Sequence, residues 1–207
     1  MLLPEKFLTT IQNTFGDEGS AFLATLPALI NEASHRWKLS NIHPVSNLSY
    51  NFVAYADTED LEVVLKIGVP NGELTSEMTA LRLFDGRGSV RLYQADEKKG
   101  KLLLERLQPG EMLAELKDDE QATQLAAQVM LDLWLPAPED RTLIQLRDWF
   151  KGFERLKVRF DGGTGTLDKN LVEQAETAVR EFFAEEYPPK VIHGDLHHFN
   201  ILSSARG

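Results

Sequence analysis

Lys190-Val-Ile-His193-Gly194-Asp195-Leu-His197-His198-Phe-Asn200-Ile201-Leu202-Ser-Ser-Ala205 is the stretch that decides how this chain folds. Val191 and Ile192 follow the breaker Pro188-Pro189 as a short apolar strand, Gly194 permits a sharp turn, and Ile201-Leu202 begin a second strand. Asp195 and Asn200 therefore share one loop between two strands. Phosphoryl transfer needs that context. An acidic side chain must accept or orient a hydroxyl proton, and a carbonyl-bearing side chain five residues on must hold a magnesium ion bridging nucleotide phosphates. His193 is read as ordering the loop by hydrogen bonding, and His197 and His198 as facing solvent. A metal cluster of hydrolase type built from His193, Asp195, His197 and His198 is the competing reading. Gly194 and the flanking strands argue for a loop rather than a chelating helix, and only His35 and His43 remain elsewhere to complete a second ligand group.

Upstream of the loop the chain changes character near Gln108. Residues 4–15 and 22–37 carry apolar side chains at helical spacing, with Gly16-Asp-Glu-Gly19 as a break between two amphipathic helices. From 42 to 67 the period becomes two, which predicts a three-stranded antiparallel meander. Residues 73–84 return to a helix ending at Asp85-Gly86, where glycine can supply the left-handed cap. Strands at 89–94 and 101–107 follow, joined by a hairpin-like turn. Beyond Pro109-Gly110 the pattern predicts helices over 111–117, 118–134, 143–160 and 167–187, with Asp118 and Gln121 as a capping pair. Asp161-Gly-Gly-Thr-Gly-Thr166 leaves a helix rather than a strand and lacks the Lys-Ser/Thr of a phosphate loop, so it reads as an interhelical linker. The whole is an α+β chain with a boundary between 107 and 108.

Lys66 lies in the apolar third strand between Leu65 and Ile67, where an unpaired ammonium is costly. Glu77 on the following helix is its first expected partner and Glu73 its second. An outward-pointing lysine on an alternating edge strand remains open on the strand pattern alone. Lys66 is placed to meet nucleotide phosphates. Ser46 and Asn47 occupy the turn 44–51, where backbone amides and short polar side chains could cover the same phosphates, although an ordinary hairpin turn has the same look. The apolar strand through Glu105 to Leu107 offers backbone groups to an adenine edge.

With 207 residues, 43% hydrophobic and 26% charged, the chain has the composition of a soluble globular protein of one generous domain or two lobes. A net charge of −10 disfavours a nonspecific hold on nucleic acid or anionic membrane and favours a neutral or cationic small-molecule substrate. Glu181, Glu185 and Glu186 suit a cationic substrate, and equally a solvated helix face. No cysteine is present, which removes disulfides and thiolate chemistry. Without a basic leader or an apolar run near ~20 residues, a cytoplasmic location is expected.

Lys66, Glu77, the 104–107 segment and His193-Gly-Asp-Leu-His-His-Phe-Asn200 together resemble the aminoglycoside phosphotransferase family, a branch of the protein-kinase-like fold. Residues 77–93 and 102–110 are similar to its streptomycin 6-kinase and hydroxyurea phosphotransferase branch. The resemblance implies a two-lobe fold, with an N-terminal nucleotide-binding lobe at 1–107 built on an antiparallel sheet and a partial, mostly helical C-terminal lobe at 108–207. It implies ATP and Mg2+ as cofactors and a small-molecule hydroxyl as acceptor, on an antibiotic such as a streptomycin-like aminoglycoside or hydroxyurea. Asp195 would be the catalytic base with His193 beside it, Asn200 a magnesium ligand, and Lys66 the cation on the phosphates, held by Glu77. Ser46, Asn47, Glu105 and Leu107 would complete the nucleotide site. Members of the family continue past this point with an aspartate-bearing strand and further helices. The expectation is therefore a truncated C-terminal lobe, a strand from Ile201 without an in-chain partner, an exposed apolar patch open to self-association, and weak transfer by this chain alone. Two other readings stay beside this one: a noncatalytic nucleotide-binding remnant or interaction module, and a metabolic kinase for choline, homoserine or a sugar.

Overall fold

The computed structural model describes residues 3–139 and 143–206. The chain divides into two compact units, Met1–Leu135 with Val191–Gly207, and Pro136–Lys190.

The first unit opens with α1 (Glu5–Trp37), which leaves helical geometry at Gly16 (φ 55°, ψ −125°). The two expected helices meet at this kink, which turns the chain at one residue rather than across all of 16–19. Gly19 is already helical, and it lies so close to the preceding segment that a Cβ would come within 2.5 Å of the Ile11 carbonyl oxygen. Glycine is needed there for close approach, not as a breaker. Strands β1 (Ser40–Pro44), β2 (Phe52–Asp57) and β3 (Glu62–Ile67) form the meander; α2 (Gly72–Phe84) follows, then β4 (Leu92–Asp96) and β5 (Lys101–Glu105). The antiparallel sheet has the order β1-β2-β3-β5-β4.

The pleat gives this sheet two different faces. Phe52, Ala54 and Ala56 of β2, with Val63, Leu65 and Ile67 of β3, turn one way and join Phe7, Ile11, Phe22, Leu26 and Ala33 of α1 in one core. Leu102 and Leu104 of β5 turn the other way and pack with Leu74 and Met78 of α2. Each large apolar side chain fully removed from water contributes about 1.5–3 kcal/mol. Phe7, Ile11, Leu26, Leu65 and Ile67 are all inaccessible, so the α1 face is the principal stabilising layer. α2 is fixed at its start by the Asn71 side chain, which accepts from Leu74 N at 2.8 Å. At its end Asp85, not glycine, takes the left-handed cap (φ 48°), and Gly86 continues it at φ 79°.

Past the sheet the structure departs from the expected helices. Residues 111–117 are not helical: β6 (Pro109–Met112) leads into a 3₁₀ turn at Leu113–Glu115. The reason lies some ninety residues away. β6 pairs antiparallel with β9 (Leu202–Ser204), Leu113 N donates to the Ile201 carbonyl at 2.9 Å, and Glu111 N donates to Ser203 Oγ at 3.0 Å. The strand from Ile201, expected to lack a partner, therefore has one within the chain. α3 (Asp119–Leu133) is capped as expected, the Asp118 carboxylate accepting from Gln121 N at 3.1 Å. Two two-residue strands, β7 (Leu135–Pro136) and β8 (Lys190–Val191), pair with each other where the chain passes from one unit to the other.

The second unit contains α4 (Leu146–Phe150), α5 (Gly152–Arg159) and α6 (Lys169–Phe182). The single helix expected over 143–160 splits at Lys151-Gly152, where glycine weakens helix continuity. The 161–166 segment joins α5 to α6, and Asp168 caps α6 by accepting from Leu171 N at 3.0 Å. Phe150 stacks on Phe153, and Phe183 meets Phe150 and Phe182 edge-on, with centroids 5.0–6.3 Å apart and the Arg147 guanidinium over Phe183. Among the described residues no helix is long and apolar enough to cross a membrane.

Candidate active site

The alternation that buries Leu65 and Ile67 against α1 sends Lys66, between them, to the α2 face. Glu77 reaches it from the second turn of α2, and Lys66 Nζ donates to both carboxylate oxygens at 2.6 and 2.7 Å. Lys66 thus points inward, and Glu77 rather than the exposed Glu73 is its partner. With side chains 18% and 35% accessible, the pair adds only about 0–1 kcal/mol to stability. Its value lies in holding one ammonium in place with part of its surface still open.

The 193–200 loop is built around Asn200. Asn200 Nδ2 donates to the Asp195 carbonyl at 2.9 Å and to Asp195 Oδ2 at 3.2 Å, and Asn200 N donates to the His197 carbonyl at 2.8 Å. Gly194 (φ 81°) makes the turn that this requires, with nothing within 4 Å of where its Cβ would be. His193 Nδ1 accepts from Asp195 N at 3.3 Å, so the imidazole orders the loop's entry. Desolvation by surrounding atoms holds the His193 pKa below its ordinary value, against the opposing pull of the Asp195 and Glu77 carboxylates; His197 and Lys66 lower it further. The Asp195 carboxylate is 79% accessible. On the far side, Ala114 N donates to the His198 carbonyl at 3.2 Å, which pins the loop to the β6 segment.

The remaining nucleotide-site candidates sit elsewhere in the same unit. Ser46 and Asn47 are exposed at the tip of the β1–β2 turn, which is anchored by the buried Leu48 and by Val45 N donating to the Val53 carbonyl at 3.0 Å. Glu105 ends β5, its N–H already given to the Arg91 carbonyl at 2.9 Å, and Leu107 lies just past the strand.

Three residues escaped the sequence reading. His197, expected to face solvent alone, has Nε2 3.0 Å from Asn200 Nδ2 and 3.8 Å from Asp195 Oδ2. Its place three residues before Asn200 in a tight turn is the signal that could have found it. Lys101 is fully buried on the α1 face, and Arg206 clasps Glu105.

An antiparallel sheet whose central strand carries a lysine chelated by a helix glutamate, with a strand-loop-strand bearing aspartate and asparagine, defines the protein-kinase-like class. Choline kinase LicA from Streptococcus pneumoniae shares that fold, with a TM-score of 0.58 over 89% of this chain and 66% of the other, at 16% identity. More narrowly, the family model for aminoglycoside/hydroxyurea antibiotic resistance kinases matches residues 36–207, and the chain belongs to that family. It is 31% identical to streptomycin 6-kinase of Streptomyces glaucescens and 30% identical to that of Streptomyces griseus, in each case over 99% of this chain. Hydroxyurea phosphotransferase of Kitasatospora aureofaciens is 29% identical over 92% of the chain. The chain spans 66% of the length of each streptomycin kinase and 57% of the hydroxyurea enzyme.

Proposed function

We propose that this chain carries the nucleotide site and catalytic loop of a cytoplasmic, ATP- and Mg2+-dependent phosphotransferase whose acceptor is a hydroxyl of a small antibiotic, streptomycin-like or hydroxyurea. Its partners are small molecules, not nucleic acid or membrane. Self-association through apolar surface belongs to the same proposal, as does the lobe division between 107 and 108. The observations that carry the reading are the Lys66–Glu77 chelate and the loop that joins Asp195 to Asn200, both in one compact unit. The relatives named streptomycin 6-kinase and hydroxyurea phosphotransferase support the acceptor class.

The side chains fit the cofactors. Asn200 spends its Nδ2 on Asp195, so the amide oxygen is the end left for a hard cation, and Asp195 adds carboxylate oxygens beside it. Bound magnesium would neutralise charge on the phosphates. In this chain Glu77 holds Lys66 in register to meet phosphate oxygens, and the exposed Asp195 accepts or orients the acceptor's hydroxyl proton. Asn200 keeps the Asp195 carboxylate aimed, and His193 Nδ1 fixes the backbone at the turn. Most of the acceleration in such a site comes from alignment and preorganised charge.

The test is phosphoryl transfer from Mg-ATP to streptomycin and to hydroxyurea, followed by mass spectrometry of the acceptor, beside calorimetric ATP binding. Asp195→Asn should cut transfer by about 10²–10⁴-fold, the range of a general base, with ATP affinity unchanged. ATP binding without transfer to any hydroxyl acceptor would favour a noncatalytic nucleotide-binding module. Absence of both would overturn the nucleotide reading altogether.

A further inference from the structure

Arg206 spends its whole guanidinium on one corner of the sheet. Nε donates to Glu105 Oε1 at 3.2 Å and Nη2 to Glu105 Oε2 at 2.6 Å, while Nη1 donates to the Gly86 carbonyl at 2.5 Å and Nη2 also to the Ser89 carbonyl at 3.2 Å. Glu105 is equally committed. Its Oε2 accepts a third bond from Arg91 N at 3.0 Å, and its side chain is largely buried. A lone exposed ion pair would mean little, but a fork-to-fork pair reinforced by two carbonyls and a backbone amide fixes geometry as well as charge.

The chain on either side gives this clasp its meaning. Arg206 comes two residues after β9, the strand that follows the Asp195–Asn200 loop, and Glu105 is the last residue of β5, immediately before 106–107. β9 itself is short and makes its ladder with β6 alone. Two short strands would hold the loop loosely, and Arg206 adds a second attachment on a different element.

We propose that Arg206 is a positioning residue whose clasp on Glu105 locks the strand leaving the Asp195–Asn200 loop to the end of β5, so that loop and 105–107 segment keep one spacing. The kinetic consequence rests on the reading of 105–107 as a nucleotide-contacting segment; the mechanical one does not. Lysine replaces arginine here only in part, because a single ammonium that meets the Glu105 carboxylate cannot also span the Gly86 and Ser89 carbonyls.

Amide hydrogen exchange on the nucleotide-free chain tests the mechanical link directly. Arg206→Ala and Glu105→Gln should each speed exchange across 193–200 by about tenfold, as expected for easier local opening. Their double variant should be no faster than either alone, Arg206→Lys should recover only part of the protection, and Arg36→Ala, which breaks the exposed pair with Asp96, should leave 193–200 unchanged. Additive effects, or faster exchange confined to 203–206, would overturn the proposal. Kinetics supply the second readout: Arg206→Ala and Arg206→Lys should raise the ATP KM and lower kcat together, where a merely stabilising tie would lower Tm and leave both constants unchanged. A wild-type chain that fails to bind ATP would sink the kinase reading, while the exchange data would still decide for or against the clasp.

Discussion

Lys66 and Lys101 are lysines on adjacent central strands, one residue apart in register, and they end in opposite environments. Lys66 pairs across the sheet with Leu102, and Lys101 with Ile67. The pleat therefore sends them to different faces. Lys101 goes to the α1 core with no accessible surface, where Glu32 lies at 3.0 Å, Asp96 at 3.6 Å and the Trp37 ring at 5.8 Å. Lys66 goes to the α2 face with 18% of its side chain accessible and Glu77 as a chelating partner. Two carboxylates and an aromatic face surround Lys101 and leave it no room for another anion. Lys66 has one carboxylate and an opening. A buried lysine is thus not in itself a sign of function; what separates the two is whether a further anion can arrive.

The sharpest way to break that distinction is to replace each lysine by methionine, which keeps the stem and removes the charge. Lys66→Met should lower phosphoryl transfer by about 10²–10³-fold, the cost of losing one preorganised donor to developing charge. Tm should shift little, because a part-exposed pair adds only about 0–1 kcal/mol. Lys101→Met should do the reverse. Removing one member of a buried ion group costs about 3–5 kcal/mol when the others stay buried. Glu32 is partly exposed and keeps Lys99 at 2.7 Å, so about 2 kcal/mol is the expected loss, or roughly 4–8 °C in Tm for a chain of this size. Transfer at a temperature well below Tm should hold within about twofold, since a stability change remote from the site adds no barrier to the chemistry. Matching losses in both assays for both variants would erase the distinction between the faces.

How much of this was readable beforehand follows from how local each signal is. The period-two runs of β2 and β3 and the turn-spaced apolar residues of α2 specify their elements from a few neighbours, and the Lys66–Glu77 pair follows from their succession. The Asp195–Asn200 loop was legible because glycine, aspartate and asparagine impose one turn within a few residues. β6 was not, because residues 111–117 carry a helical pattern, and 111–112 are drawn into a strand only by pairing with β9 from far along the chain. Lys101 was missed for a related reason. Its strand neighbours do not mark it as buried, and its counterions Glu32 and Asp96 come from α1 and from the neighbouring strand. Arg206 is the extreme case, since its partner is 101 positions away. Contacts within a turn or a hairpin can be read; contacts that need the completed sheet cannot.

The smallest expected effect concerns acid, and it would show whether the α1-face cluster behaves as a closed set of charges. Hydrogen bonds from Lys99 and then Lys101 hold the Glu32 carboxyl at about 2, against a partial opposing contribution from burial. A carboxyl whose pKa is lower in the folded chain than in the unfolded one binds fewer protons when folded. Its contribution is therefore fully present above about 4.5, its ordinary value, and is lost as pH falls from there through about 2. A Tm profile from pH 6 to about 2.5 should fall in the wild type, and Glu32→Gln should start lower and fall less steeply, the two curves converging at the acid end. Parallel curves for Glu32→Gln and wild type would show that Lys99 and Lys101 do not hold Glu32 in solution, and that the closed character of the α1 face rests on packing alone.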